Sequence, residues 1–338
     1  MRIVLDAMGS DTCPVPDVDG AIQAARLYPA DTLILVGDKP KIEAELAKYK
    51  TDGLRLEIVA TTQTITMEDH PSDVGRTKKE SSMFVGMNMV RDGKADAFVT
   101  AGNTGAVLAL ATLYSLRRIP GVKRPALTSL INTDDKTIVA VDLGANTDCR
   151  PEWLVQFGIM GSIYAQNVLK QPNPTVGLLA NGEEDSKGNT LVREAGDLLR
   201  KTALNFIGNV EPKEMLAGKA DVVVADGFVG NIAIKSMEAI GSMLFSILQR
   251  EVRKSPLAMI GALLMRPVLR GIYRQADPFE IGGAPLLGVN GVVIIGHGRT
   301  NAKGIKNAIS QAHRAVDGKL VEAIREGMAR DVGDGDES

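Results

Sequence analysis

The sequence predicts an α/β protein built on a doubly wound, mostly parallel sheet in three αβα layers, with a helical hairpin protruding from it. Three observations predict this class. Short β-branched runs alternate with longer helical patterns along the chain, which is the rhythm of βαβ crossovers. Several of the runs are apolar on consecutive residues, as strands covered on both faces are. The 35 glycines cluster in short loops, where tight strand-to-helix turns need them.

Taken in order, strands are expected at Ile3–Leu5, Thr32–Val36, Leu56–Val59, Ala97–Thr100, Ile138–Val141, Val176–Leu179, Asn205–Ile207, Val222–Ala225 and Val292–Ile295. Helical patterns run over Trp153–Leu169, Leu191–Thr202 and Ile232–Arg250. The segment from Glu251 to Asp277 holds no strand and reads as a helical excursion, split near Arg266-Pro267. Residues 1–330 are expected to form a single large domain that includes it. The acidic stretch from Asp331 to Ser338 reads as a disordered tail.

Composition narrows the function classes. A formal net charge of −2 and 4% aromatics, with no basic run interleaved with aromatics, exclude an ordinary nucleic-acid binder. Two cysteines, Cys13 and Cys149, make neither a disulfide framework nor a zinc site. His70, His297 and His313 are too scattered for a metal cluster. No metal and no cofactor are expected. The N-terminus goes straight into a strand pattern without a signal-peptide core, and no apolar run reaches the roughly 18 residues of a membrane span. A cytoplasmic protein is expected.

Six predicted strands are each followed by a loop of one composition, glycine with Asn, Asp, Ser or Thr. The loops begin at Asp6, Ala101, Asp142, Asn181, Asp226 and Gly296. The six loops are expected at the carboxyl ends of parallel strands, together on one edge of the sheet, where such folds bind ligands. Several lead into helix N-termini, which favour anions. No Gly-x-Ser-x-Gly elbow, Cys/His pairing, His-Glu-x-x-His or Walker loop is present. Gly296-His297-Gly298 opens a dinucleotide-like pattern, but Asn301 stands at its third glycine. What remains suits holding an anion and stabilising developing negative charge.

These loops, in this order, closely resemble the bacterial phosphate acyltransferases of phospholipid synthesis. The matching stretches are Asp6-Ala7-Met8-Gly9, Ala101-Gly102-Asn103-Thr104-Gly105-Ala106, Val141-Asp142-Leu143-Gly144-Ala145-Asn146, Asn181-Gly182-Glu183-Glu184, Ser186-Lys187-Gly188-Asn189, Asp226-Gly227-Phe228-Val229-Gly230-Asn231 and Gly282-Gly283-Ala284-Pro285-Leu286-Leu287-Gly288. The family usually carries a second glycine and a histidine where this chain has Ser10 and Thr12. The resemblance implies transfer of a long acyl chain from acyl carrier protein to inorganic phosphate, giving acyl phosphate. It also implies a homodimer with a phosphotransacetylase- or isocitrate dehydrogenase-like fold, and work beside a downstream glycerol-phosphate acyltransferase. Phosphate is already an anionic nucleophile near neutral pH, so the demand is for positioning and oxyanion stabilisation.

On that reading Lys187 neutralises charge and Asn231 donates an amide to the oxyanion or phosphate. His297 is either a proton donor to the leaving thiolate or a hydrogen-bonded loop histidine. Asp6, Gly9, Asn103, Thr104, Asn146, Asn189, Asp226 and Gly230 are expected around the substrate. Asp6, Asp11, Asp142 and Asp226 read as loop-ordering carboxylates, since no Asp-x-Asp spacing appears. Basic flanks for an acidic carrier protein are sought at Arg76, Lys78 and Lys79, and at Arg117, Arg118, Lys123 and Arg124. In the excursion, Leu263, Leu264, Leu269, Arg266, Arg270 and Arg274 combine an apolar tip with arginines every four residues. That suits lying in an anionic membrane surface; a dimer interface or a lid is the other reading. Rival functions are a coenzyme A-dependent phosphotransacylase, a nicotinamide-dependent dehydrogenase and a non-enzymatic membrane scaffold.

Overall fold

The computed structural model describes residues 1–133, 135–268, 271 and 277–333. Eleven strands form one sheet: β1 (Arg2–Asp6), β2 (Thr32–Gly37), β3 (Leu56–Ala60), β4 (Ala97–Thr100), β5 (Ala126–Asn132), β6 (Thr137–Val141), β7 (Thr175–Leu179), β8 (Asn205–Val210), β9 (Val222–Val224), β10 (Ala284–Leu287) and β11 (Val292–Ile295). Their order is β3-β2-β1-β4-β11-β10-β5-β6-β9-β7-β8.

The sheet is not wound in one direction. β1, β2, β3, β4 and β11 are mutually parallel, and so are β6, β9, β7 and β8. Between these blocks lie three antiparallel steps, β11 to β10, β10 to β5 and β5 to β6. An odd number of reversals leaves the two blocks running in opposite senses. The expected single edge is therefore corrected. The loops after β1, β4 and β11 leave one margin of the sheet, and those after β6, β7 and β9 leave the other. The cause is the pair of strands that sequence patterning overlooked, β5 and β10.

Alternate strand residues feed the two faces, as the two-residue period requires. Ile3 and Leu5 join a core that runs under the whole sheet, covered by helices Val15–Leu27, Pro151–Asn167, Thr190–Leu199, Ala302–Asp317 and Leu320–Gly333. On the other face each half has its own core. Val4, Ile34 and Phe98 pack with Met83 and Met87 in one half; Leu179, Val210 and Val223 pack with Met215 in the other. Each large aliphatic side chain buried here contributes about 1.5–3 kcal/mol. Gly20 marks how closely helix Val15–Leu27 lies on helix Ala302–Asp317, because a Cβ there would sit 2.7 Å from Ala302 O. The final helix runs to Gly333, three residues into the expected tail, and residues 334–338 lie outside the described residues.

The excursion, expected from Glu251, starts earlier: helix Gly227–Arg253 runs into it, breaks at Lys254, and is followed by Pro256–Leu264 with Ser255 accepting from Ala258 N. Pro256 takes the first helical position, where its missing N–H costs nothing. Contrary to the expectation that no bilayer-length apolar stretch exists, Gly227–Arg253 is long and apolar enough to cross a membrane by length and composition. Its first turn, however, is tied to the sheet at Asp226, and Lys235 and Glu238 pair on its surface. Leu263, Leu264 and Arg266 are exposed. Leu269, Arg270 and Arg274 lie outside the described residues.

Candidate active site

Doubly wound sheets bind ligands where neighbouring strands send their connections in opposite directions. This sheet has two such points. β1 and β4 are neighbours; the chain leaves β1 for β2 on one side and β4 for β5 on the other. β7 and β9 are neighbours; the chain leaves β7 for β8 and β9 for β10 on the far side. The expected site residues divide between them. Asp6, Gly9, Asn103, Thr104 and His297 belong to the β1/β4 group. Asn146, Lys187, Asn189, Asp226, Gly230 and Asn231 belong to the β9/β7 group.

Within each group the structure separates residues that build the loop from residues with free polar heads. Asp6 is buried and accepts from Thr100 Oγ1 (2.8 Å) and Met8 N (3.1 Å). Burial raises its pKa, with Thr100 and Ser82 pulling the other way. Asn103 caps helix Thr104–Ala109, and its amide donates to Thr66 O and Asp69 O, so it orders the neighbouring loop. Gly9 is a close approach between chains, since a Cβ would lie 3.0 Å from Ala101 N. His297 is exposed, with Nδ1 accepting from Arg299 N at 3.2 Å.

At β9/β7 the buried carboxylate of Asp142 is the organiser. It accepts from Leu127 N, Ala145 N, Asn146 N and Asn146 Nδ2 at 2.7–3.2 Å. Burial raises its pKa against those donors. Asn146 Nδ2 also donates to Pro125 O, so both its amide hydrogens are committed. Asp226 caps helix Gly227–Arg253 through Phe228 N and Val229 N. Asn189 caps Thr190–Leu199 through Val192 N. Asp142 and Asp226 thus order loops, as do Asn146 and Asn189. Cys149 donates to Asn146 O, and burial pushes its thiol up to about 12, which leaves no thiolate nucleophile at neutral pH.

Two residues stand apart. Lys187 and Asn231 are exposed, and among the described residues no hydrogen bond or ion pair engages the ammonium or the amide. Asn231 sits against Gly144, 3.6 Å from where a Cβ would be. Lys187 lies over Gly182, whose Cβ would come 2.7 Å from Lys187 Cγ. Gly188 makes the turn after it with φ +92°, a conformation that favours glycine. A free cation and a free amide donor on neighbouring loops at a switch point can hold an anion and stabilise an oxyanion.

Sequence reasoning missed Asp17, beneath the first loop. It is buried, accepts from Ser10 Oγ at 2.5 Å, and among the described residues keeps Oδ1 without a partner. Burial, only partly opposed by the Ser10 hydroxyl, pushes its carboxyl from 3.8 up to about 7. Because the folded pKa lies above the unfolded one, stability falls as pH rises from about 4 to about 7, by roughly 4 kcal/mol at most. Asp17→Asn is expected to flatten that decline. Parallel curves of melting temperature against pH for wild type and variant would show that Asp17 ionises normally. Of the basic flanks, Lys78 is already paired with Asp69 at 2.6 Å, while Arg124 lies over the Trp153 ring at 4.8 Å.

The family model for the fatty acid synthesis protein matches residues 1–323. A phosphate acyltransferase from Alkaliphilus oremlandii is 46% identical over 97% of this chain and 98% of its own length. Among solved structures, a phosphotransacetylase from Streptococcus pyogenes superposes with a TM-score of 0.61 at 17% identity, covering 93% of this chain and 94% of that one. The EutD phosphotransacetylase from Staphylococcus aureus gives 0.58 at 18% identity with the same coverage. The structural likeness establishes the fold; the sequence relationship, unbroken across the chain, establishes the lineage. This chain belongs to the fatty acid synthesis protein family, among phosphate acyltransferases, and it is an acyltransferase.

Proposed function

We propose that the chain transfers a long acyl group from acyl carrier protein to inorganic phosphate, at the β9/β7 loops. The observation that carries this reading is the pair of unengaged polar heads, Lys187 and Asn231, on adjacent loops at a switch point, while Asp142, Asn146 and Asp226 beside them are spent on loop structure. A phosphate oxygen attacks the thioester carbonyl. The tetrahedral oxyanion is held by the Asn231 amide and the Lys187 ammonium. The C–S bond then breaks, and the carrier's thiolate leaves with the proton given up by the attacking hydrogen phosphate. Phosphate-dependent consumption of palmitoyl-acyl carrier protein, without added metal or nicotinamide, is the expected result, with acyl phosphate detected by hydroxylamine trapping. Thioester loss independent of phosphate, or no loss, rejects the reaction. The phosphotransacetylase-like fold favours one second reading, a coenzyme A thioester as donor; faster turnover of palmitoyl-coenzyme A under the same conditions would support it.

Partners follow from exposed surfaces. Acyl carrier protein is acidic, and Arg117, Arg118 and Lys123 supply a basic flank. The apparent affinity for acyl carrier protein is expected to weaken as salt rises, because screening shortens electrostatic reach to about 8 Å at physiological ionic strength. A salt-independent affinity would remove the patch from carrier docking. Ile240, Met243, Leu244, Ile247 and Leu248 are exposed along one helix, an apolar face of the kind that marks an interaction surface, and on this reading a homodimer covers it. Leu263 and Leu264, with Arg266 beside them, suit an anionic membrane surface, and on this reading the protein is cytoplasmic and peripherally membrane-associated. Wild type is expected to sediment with anionic liposomes and Leu263→Glu/Leu264→Glu to stay in the supernatant; equal binding by both excludes this segment.

A further inference from the structure

Lys187 sits on an exposed loop, yet its backbone is held from several sides. Glu184 O accepts from Lys187 N at 2.9 Å, closing the turn that presents the lysine. The same carbonyl accepts from Asn209 Nδ2, also at 2.9 Å. Asn209 is buried, and it comes from β8, the edge strand beside β7. Downstream, Gly188 N donates to Asn181 Oδ1 at 2.9 Å and Arg193 donates to Gly188 O at 2.7 Å. Glu183 faces Lys213 and Lys219 at 3.7 and 3.6 Å, and Asp185 pairs with Arg200. These ion pairs are exposed and individually weak. The Asn209 bond alone reaches the loop from a buried side chain.

Its delivery is specific. Val176 pairs with Phe206, but Leu178 pairs with Asn209, so one residue of β7 is opposed by two of β8, Ile207 and Gly208. Gly208 carries φ +93°. This is a β-bulge, and bulges re-aim the side chains that follow them. Without the extra residue, the register would place Gly208 opposite Leu178, and Asn209 would fall one position further along.

We infer that Asn209 is a positioning residue for Lys187: the β8 bulge turns its amide under the loop, where it fixes the Glu184 carbonyl that sets the lysine's approach to substrate. It makes no contact with substrate. Its effect passes through one carbonyl to one backbone N–H. This inference rests on Lys187 acting in the proposed reaction.

The experiment is a double-mutant cycle with steady-state kinetics on the full-length protein. Asn209→Ala is expected to lower kcat by about 10- to 100-fold, the scale of a misplaced catalytic group, with both KM values changed less than about threefold and an unchanged circular dichroism spectrum. In a Lys187→Ala background the same substitution is expected to change the residual rate by less than about threefold, because the group it positions is gone. Asn209→Asp keeps the shape but places a carboxylate against a carbonyl. Its deficit relative to wild type is expected to shrink as pH falls below about 5, where the introduced carboxyl regains a donor hydrogen. A wild-type rate in Asn209→Ala, or losses that multiply in the double variant, overturns the inference. A Lys187→Ala enzyme with full activity overturns the proposed mechanism instead, and the two failures are told apart by that single variant. If Asn209→Ala does not fold, the pH dependence of Asn209→Asp alone decides: a constant deficit overturns the role.

Discussion

Lys187→Ala and Asn231→Ala are each expected to lower turnover by roughly 10² or more, the usual scale for one lost charge-stabilising donor. The two side chains are exposed and, among the described residues, unpaired, so removing them leaves no buried group without a partner. Melting temperatures should stay within a few degrees of wild type. The loss should appear mainly in kcat, because the oxyanion develops only on attack and is absent from the bound ground state. Steady-state rates at saturating phosphate and acyl donor measure it. Near-wild-type turnover in both variants would take them out of the mechanism. By contrast, Asn146→Ala should act through stability, since that amide braces Asp142 and Pro125 O.

The second large effect is expected at Gly230. A Cβ there would overlap the carbonyl oxygen of Asp142 and lie 3.0 Å from Leu143 Cδ2. Asp142 cannot retreat without breaking four hydrogen bonds around a buried carboxylate. The first turn of helix Gly227–Arg253 must move instead, and Asn231 moves with it. Gly230→Ala should therefore cost roughly 1–3 kcal/mol of stability, as overpacking does, and also depress turnover toward the Asn231→Ala level. Gly241→Ala on the same helix meets nothing within 4 Å and is expected to stabilise by roughly 0.5–1 kcal/mol. Urea denaturation of both variants, with activity assays alongside, tests the pair; an equally stable and active Gly230→Ala protein would show that the helix start is loosely seated.

Nine strands were legible because each is a compact apolar run bounded by turn residues. β5 and β10 were not. β5 alternates buried and half-buried residues through Thr128, Ser129 and Ile131, and so lacks the continuous apolar signature of its neighbours. β10 carries Pro285, which argues against a central strand, and pairs with β11 through Ala284 and Pro285 but with β5 through Leu286 and Leu287. Missing these two concealed the reversal between the halves, because the direction of a strand is not written in its own residues.

At the site, Asp, Asn and Gly at strand ends were readable as loop chemistry. Which donors are free was not. Asn103, Asn146 and Asn231 look alike in sequence, yet only the third keeps its amide unengaged, and that depends on chain segments far away. Asn209 did leave a trace. A glycine inside a strand pattern marks a bulge, and the expected strand stopped at Ile207, one residue short of Gly208.

The helix that begins at the site also acts as a spacer. Its 27 residues are about 40 Å long, more than the roughly 30 Å hydrocarbon thickness of a bilayer. Asn231 lies in the second turn, and the bend at Lys254 stands at the far end. A bilayer touched by that end is held away from the reacting carbonyl. On the proposed membrane docking, acyl transfer would take place in water, under conditions set by the loops and not by lipid, and the product would reach the membrane by leaving the site first.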